Sequence, residues 1–108
     1  MFSPFRSLST IFKHFGGQLL TLEQIFEKVV FILNDNSEIK CEYNMTTKLT
    51  KYGLVNKKNE ANVTLLSALF DIEQYFKVDV LEQDMDKFEC VGDICRYVQR
   101  YSNRNMID

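Results

Sequence analysis

From Val63 to about Tyr75 the chain runs without a proline or a glycine, and Asn62 stands immediately before the run. Asparagine is a strong helix N-cap, because its side-chain oxygen accepts a backbone N–H that the first turn leaves unpaired. Val63, Leu65, Leu66, Leu69, Phe70, Ile72 and Phe76 are apolar. That stripe is wider than one helix face needs, which predicts a central helix in a helical core.

The rest of the chain agrees with a helical class. It holds one proline and four glycines among 108 residues, and few breakers with abundant Leu, Ile, Phe, Glu and Lys favour helices over a turn-dense sheet. An earlier helix is predicted from Thr21, a fair N-cap, with Glu23 or Gln24 in its first turn. Its stripe is Leu22, Ile25, Phe26, Val29, Val30 and Leu33, and Asn34-Asp35-Asn36-Ser37 ends it. After the Val63 helix, Val78 and Val80 alternate around Asp79, and Leu81 to Phe88 suits a short helical turn. A last helix opens near Val91-Gly92-Asp93 with Ile94, Tyr97, Val98 and Tyr101 inward. Arg96, Arg100 and Arg104 lie toward its C-terminal end, where positive charge suits the helix dipole. Residues 102–108 read as a flexible tail. The long polar connection over 37–62 is of the kind that is functional or partly structured. Ile39, Tyr43, Leu49, Tyr52 and Leu54 are its candidate anchors, and Gly53 its turn.

Length and composition fit one soluble globular domain with a modest core: 45% of residues are apolar and 26% charged. No apolar run reaches the ~18 to 20 residues needed to cross a bilayer. The formal net charge of −2 is unevenly spread. Residues 1–22 carry Arg6 and Lys13 and no acid, whereas residues 61–95 carry Asp71, Glu73, Asp79, Glu82, Asp84, Asp86, Glu89 and Asp93 against Lys77 and Lys87. An acidic surface repels phosphate backbones and attracts basic proteins, so no nucleic-acid partner is expected. Lys48, Lys51, Lys57 and Lys58 form a local exception in the long connection. They read first as a solvated charge run, and otherwise as a contact for an acidic protein, RNA or anionic lipid. The odd cysteine count, Cys41, Cys90 and Cys95, argues for a reducing compartment and for packing roles. No metal pattern accompanies the single histidine, His14, and no phosphate loop or nucleophile motif offers a catalytic constellation. The chain is expected not to be an enzyme.

Phe2, Phe5, Leu8, Phe12 and Phe15 recur at three- or four-residue spacing, with Arg6, Lys13 and serines between them. Residues 1–19 therefore read as an amphipathic extension: a mitochondrial transit peptide, or a first helix that docks on a partner or on the domain. Gly16-Gly17 marks the break before the domain over 20–101.

One string goes further. Phe76-Lys77-Val78-Asp79-Val80-Leu81-Glu82-Gln83-Asp84, then Phe88-Glu89-Cys90-Val91-Gly92-Asp93-Ile94-Cys95-Arg96-Tyr97-Val98, resembles the second half of acyl carrier proteins. That family has a phenylalanine, an alternating Ile/Val–acid segment, an acidic short third helix and a Val-Gly-Asp opening its fourth. Leu69 to Phe76 is similar to the end of the family's second helix, Leu22 to Leu33 to its first, and Leu49-Thr50-Lys51-Tyr52-Gly53-Leu54 to the approach to its modification site. The resemblance covers about 80 residues. It implies an all-α, acyl-carrier-like four-helix bundle with an N-terminal amphipathic extension.

The family's chemistry rests on an Asp-Ser-Leu at the N-terminus of helix two, whose serine carries 4′-phosphopantetheine. A helix N-terminus suits that phosphodiester, because free N–H groups and the helix dipole favour an anion. Counted back from Phe76, Ala61-Asn62-Val63 takes that place; counted forward from Gly53, Val55-Asn56 does. Neither has a serine, and the difference leaves residues 55–60 as an insertion. Asn62 keeps a capping acceptor but no hydroxyl, so no cofactor is expected. The resemblance then implies a non-enzymatic docking subunit of a mitochondrial assembly on the matrix side, such as respiratory complex I. It would bind a small helical protein of the LYR type through Asp71, Glu73, Glu82, Asp84 and Asp86, and meet a membrane only through that complex. Two alternatives stand beside it. One is a working carrier in fatty-acid or lipid synthesis, with 4′-phosphopantetheine on Thr64 or Ser67. The other is a free-standing helical interaction domain.

Overall fold

A computed structural model describes residues 20–107, with side chains through Ser102. Four helices follow one another: α1 Leu22–Asp35, α2 Val63–Phe76, α3 Glu82–Met85 and α4 Val91–Ile107. Among the described residues, extended pairing is confined to two isolated bridges, Lys48 with Cys90 and Val55 with Ala61. The described chain is thus all-α, as the breaker-poor sequence predicts, and none of its helices is long and apolar enough to cross a membrane. The amphipathic extension expected over residues 1–19 lies outside the described residues.

Local chemistry sets the helix starts. The Thr21 hydroxyl accepts the Gln24 N–H at 3.1 Å, and the Gln24 side-chain oxygen accepts the Thr21 N–H at 2.9 Å. This reciprocal cap satisfies two donors that the first turn leaves open. Asn62 caps α2 by accepting the Leu65 N–H at 2.8 Å. At α4, Asp93 accepts the N–H groups of Glu89 at 2.8 Å and Cys90 at 3.2 Å.

Packing departs from expectation in one respect. α1 is the helix packed against both α2 and α4, so it, and not α2, is central. Facing two neighbours, α1 buries Ile32 beside Ile25, Val29 and Leu33. α2 buries Leu65, Ala68, Leu69, Ile72 and Phe76 and turns its remaining apolar residues outward. α1 and α2 run antiparallel: the Lys28 ammonium lies over the Tyr75 ring at 4.4 Å, and the Asn36 amide donates to Asp71 at 3.0 Å.

Lys77 takes the left-handed conformation, φ 59°, that ends many helices. It returns Val78 to the core. The Tyr97 hydroxyl lies 3.0 Å from the Asp79 carbonyl and 3.1 Å from the Asp84 carboxylate, tying α3 and its approach to α4. Ser102, where a flexible tail was expected to begin, is instead buried inside α4, and its hydroxyl donates to the Phe76 carbonyl at 3.3 Å. The helix continues to Ile107.

The long connection is an ordered layer. Leu49 N–H donates to Glu89, Val91 N–H to Thr47, and Gly92 N–H to Met45 at 2.8 Å. A Cβ on Gly92 would lie 2.7 Å from that Met45 carbonyl, so only glycine admits the approach. Leu49 and Leu54 are buried anchors as expected, Tyr43 and Tyr52 meet edge to face, and Gly53 takes φ 77°. Ile39 is not an anchor; it is 73% exposed.

Candidate docking site

Residues 55–60 close on themselves directly before α2. Val55 is buried and bridges to Ala61, while Asn56 accepts the N–H groups of Lys58 and Glu60 at 2.8 and 2.9 Å. Asn62 is the N-cap from which α2 starts. Asn62 is exposed, Thr64 half-buried and Ser67 exposed.

Behind this N-terminus lies a small, mostly apolar cavity of about 40 Å³ between residues 55–61, α2 and the α3 segment, lined in part by Leu49, Val55, Leu65, Leu69, Met85 and Phe88. That is room for a few waters, each needing about 10–15 Å³ of such space. The Asn59 side-chain amide donates to the Asp86 carbonyl across its rim. Residues 55–60 are thereby fastened to the end of α3.

The predicted acids do not share one face. Two residues along a helix turn about 200°, which sends Asp71 and Glu73 to opposite flanks of α2. Asp71 accepts from Asn36 beside α1. Glu73 accepts the Val80 N–H at 2.7 Å and so laces the 78–81 connection along the other flank. Asp84 is half-buried, with the Tyr97 hydroxyl at 3.1 Å and the Lys87 ammonium at 3.8 Å. Glu82 and Asp86 are exposed.

Between the flanks of α2 the outward face carries Val63, Leu66 and Phe70 alongside the exposed Ser67 and Gln74. Val63, Leu66 and Phe70, spaced three and four apart, form one outward stripe and are 76, 48 and 59% exposed. Leu81, at the end of the connection that Glu73 holds, is also exposed, at 51%. These residues were countable as apolar in the sequence. Their separate stripe, opposite to that of Leu65, Leu69, Ile72 and Phe76, was the available signal of a second, outward surface. The exposed Lys48, Lys51, Lys57 and Lys58 stand in the connection before α2, with Lys51 over the Tyr52 ring at 5.3 Å.

Among the described residues no group of three or more His, Cys, Asp or Glu is placed to hold a metal. Cys95 is fully buried, and burial pushes its thiol up to about 12 despite the neighbouring Arg96. Cys41 and Cys90 are half-buried.

No protein-family model, no curated protein and no solved structure matches this chain.

Proposed function

We propose that this chain is a non-enzymatic, acyl-carrier-like docking subunit that holds a small helical protein partner on the outward face of α2. The observation that carries the reading is the solvent-facing stripe of Val63, Leu66 and Phe70. Isolated exposed apolar residues need no explanation, but a stripe at helical spacing bordered by charge has the anatomy of an interface, an apolar centre with a polar rim. Glu73, Glu82 and Asp86 supply acids on one side of it, which favour a partner with basic residues, as the LYR-type proteins bound by mitochondrial carriers are. The resemblance places such a subunit in the mitochondrial matrix, within an assembly such as respiratory complex I. Asn62 in place of the attachment serine favours docking over acyl transport.

The test is affinity capture of the full chain from its native source, with intact mass measured on the captured protein. Phe70→Asp and Leu66→Asp are expected to release the partner while the helical circular dichroism stays unchanged. A lost central contact costs about 2 kcal/mol, roughly thirtyfold in Kd. Unchanged co-purification of both variants would sink the docking surface. A mass raised by phosphopantetheine would return the chain to the working carriers.

A further inference from the structure

We infer that two copies of this chain pair through α2, antiparallel about a twofold axis, each covering the Val63–Leu66–Phe70 stripe of the other. The inference rests on the outward face assigned above, but not on the partner proposed for it.

Three observations lead to it. The first is that the stripe is complementary to itself. In a twofold pair, each contact is returned by the other copy. An axis beside Leu66 sets Val63 of one copy against Phe70 of the other, twice over, with the two Leu66 side chains between. Val63 and Phe70 stand about 10 Å apart along the helix, so the whole stripe is covered. All three residues are exposed in the single chain, and removing apolar surface from water is the main drive of association. Ser67, small and exposed, stands next to the axis and lets the two helices approach.

The second is what flanks the stripe. Residues 78–86 run along one side of α2. Glu73 holds their start through the Val80 N–H at 2.7 Å, and Asn59 holds their end through the Asp86 carbonyl. That side therefore has residues 55–60 at the N-terminal end of α2, and Glu73 with the exposed Glu82 toward its C-terminal end. A twofold antiparallel pair brings this same side of both copies together, running in opposite directions.

The third is charge. Lys57 and Lys58 are exposed, and neither belongs to an ion pair among the described residues. Glu60 and Asp86 share their end of α2, but Glu60 is turned back to the Asn56 amide at 2.8 Å. In the antiparallel pair, the two lysines of each copy meet Glu73 and Glu82 of the other. A parallel pair would set lysines on lysines and acids on acids, which is costly, so charge selects the antiparallel one. The pair and the proposed complex bury the same residues, so each excludes the other.

Sedimentation equilibrium of the full chain under reducing conditions tests this. The mass is expected to rise from monomer toward dimer with concentration, and Leu66→Asp or Phe70→Asp to hold it at monomer. Two further variants read the charge pattern. Lys57→Glu with Lys58→Glu, and Glu73→Lys with Glu82→Lys, are each expected to raise the dimer Kd about tenfold at low ionic strength. An equal mixture of the two should restore the dimer, because both of its contacts then join opposite charges. If Glu73→Lys alters the circular dichroism, Glu82→Lys alone takes its place. A chain that stays monomeric at every concentration would overturn the inference. So would a dimer indifferent to Leu66→Asp, or a mixture that pairs no better than its components. A monomer that still captures its partner leaves the docking reading standing, and a dimer that captures none leaves this one standing.

Discussion

At the scale of single residues, the junction where the long connection meets α4 is held by Gly92 and Asp93. Gly92 lets the Met45 carbonyl come within hydrogen-bond distance of the helix start. Asp93 closes the same turn by accepting the Glu89 and Cys90 N–H groups, and meets the exposed Arg96 guanidinium at 3.1 Å. Burial alone would raise its carboxyl pKa, but those N–H donors and Arg96 outweigh burial and hold it below the usual value. A carboxyl depressed on folding stabilises the fold above its unfolded pKa of about 3.9, and that contribution is lost as pH falls through the lower folded value. Asp93→Ala is expected to lower stability in urea at neutral pH by about 1 kcal/mol, the usual worth of such a cap. The surface pair with Arg96 adds little. The gap between parent and variant should then close on acidification below about pH 4. A gap that stays constant down to that acidity would show that the carboxylate charge is not what holds the turn.

At the scale of elements, the two sides of α2 differ in what they contribute. Ile72 is fully buried against the core, whereas Phe70, two residues earlier, is mostly exposed. Ile72→Ala is expected to cost about 2 to 5 kcal/mol, because it removes a packed side chain and leaves a cavity. Phe70→Ala should move urea stability by about 0.5 kcal/mol or less, as surface changes do. Equal losses at both positions would mean that Phe70 is a core residue and would remove the interface argument. The contrast also marks what the sequence made legible. Thr21 with Gln24, and Asn62, are short-range signals, and each cap forms as the residue types predict. Which side of α2 faces inward is a long-range fact. Counting apolar residues on α2 predicts a central helix, yet α1 takes that place because α2 and α4 pack on it. The burial of Val55 in the connection and of Ser102 beyond the expected helix end depend likewise on partners elsewhere in the chain, Ala61 and Phe76. The spread of the five predicted acids over several surfaces could not be read from a run of acids. It follows from the 100° step of the helix and from the bonds to Asn36, Val80 and Tyr97.

At the scale of the molecule, charge and apolar surface divide the work of association. Acids outnumber bases over residues 61–95, while Lys48, Lys51, Lys57 and Lys58 lie in the connection before α2. The basic partner proposed above would therefore be drawn to the α2–α3 side and turned away from the connection before any contact forms. Such steering acts on the association rate and is screened by salt, with a Debye length of about 10 Å at 0.1 M. In the proposed complex, burial of Val63, Leu66 and Phe70 would begin only after contact and so would govern how long the complex lasts. Stopped-flow or surface-binding kinetics with the captured partner separate the two. Glu82→Lys with Asp86→Lys is expected to slow association about tenfold at low ionic strength and to leave dissociation nearly unchanged, the difference shrinking as salt is added. Leu66→Asp is expected to do the reverse, speeding dissociation with little effect on association. If reversing the two acids instead hastens dissociation at every salt concentration, Glu82 and Asp86 lie inside the contact, and the partner sits over α3 and not along α2.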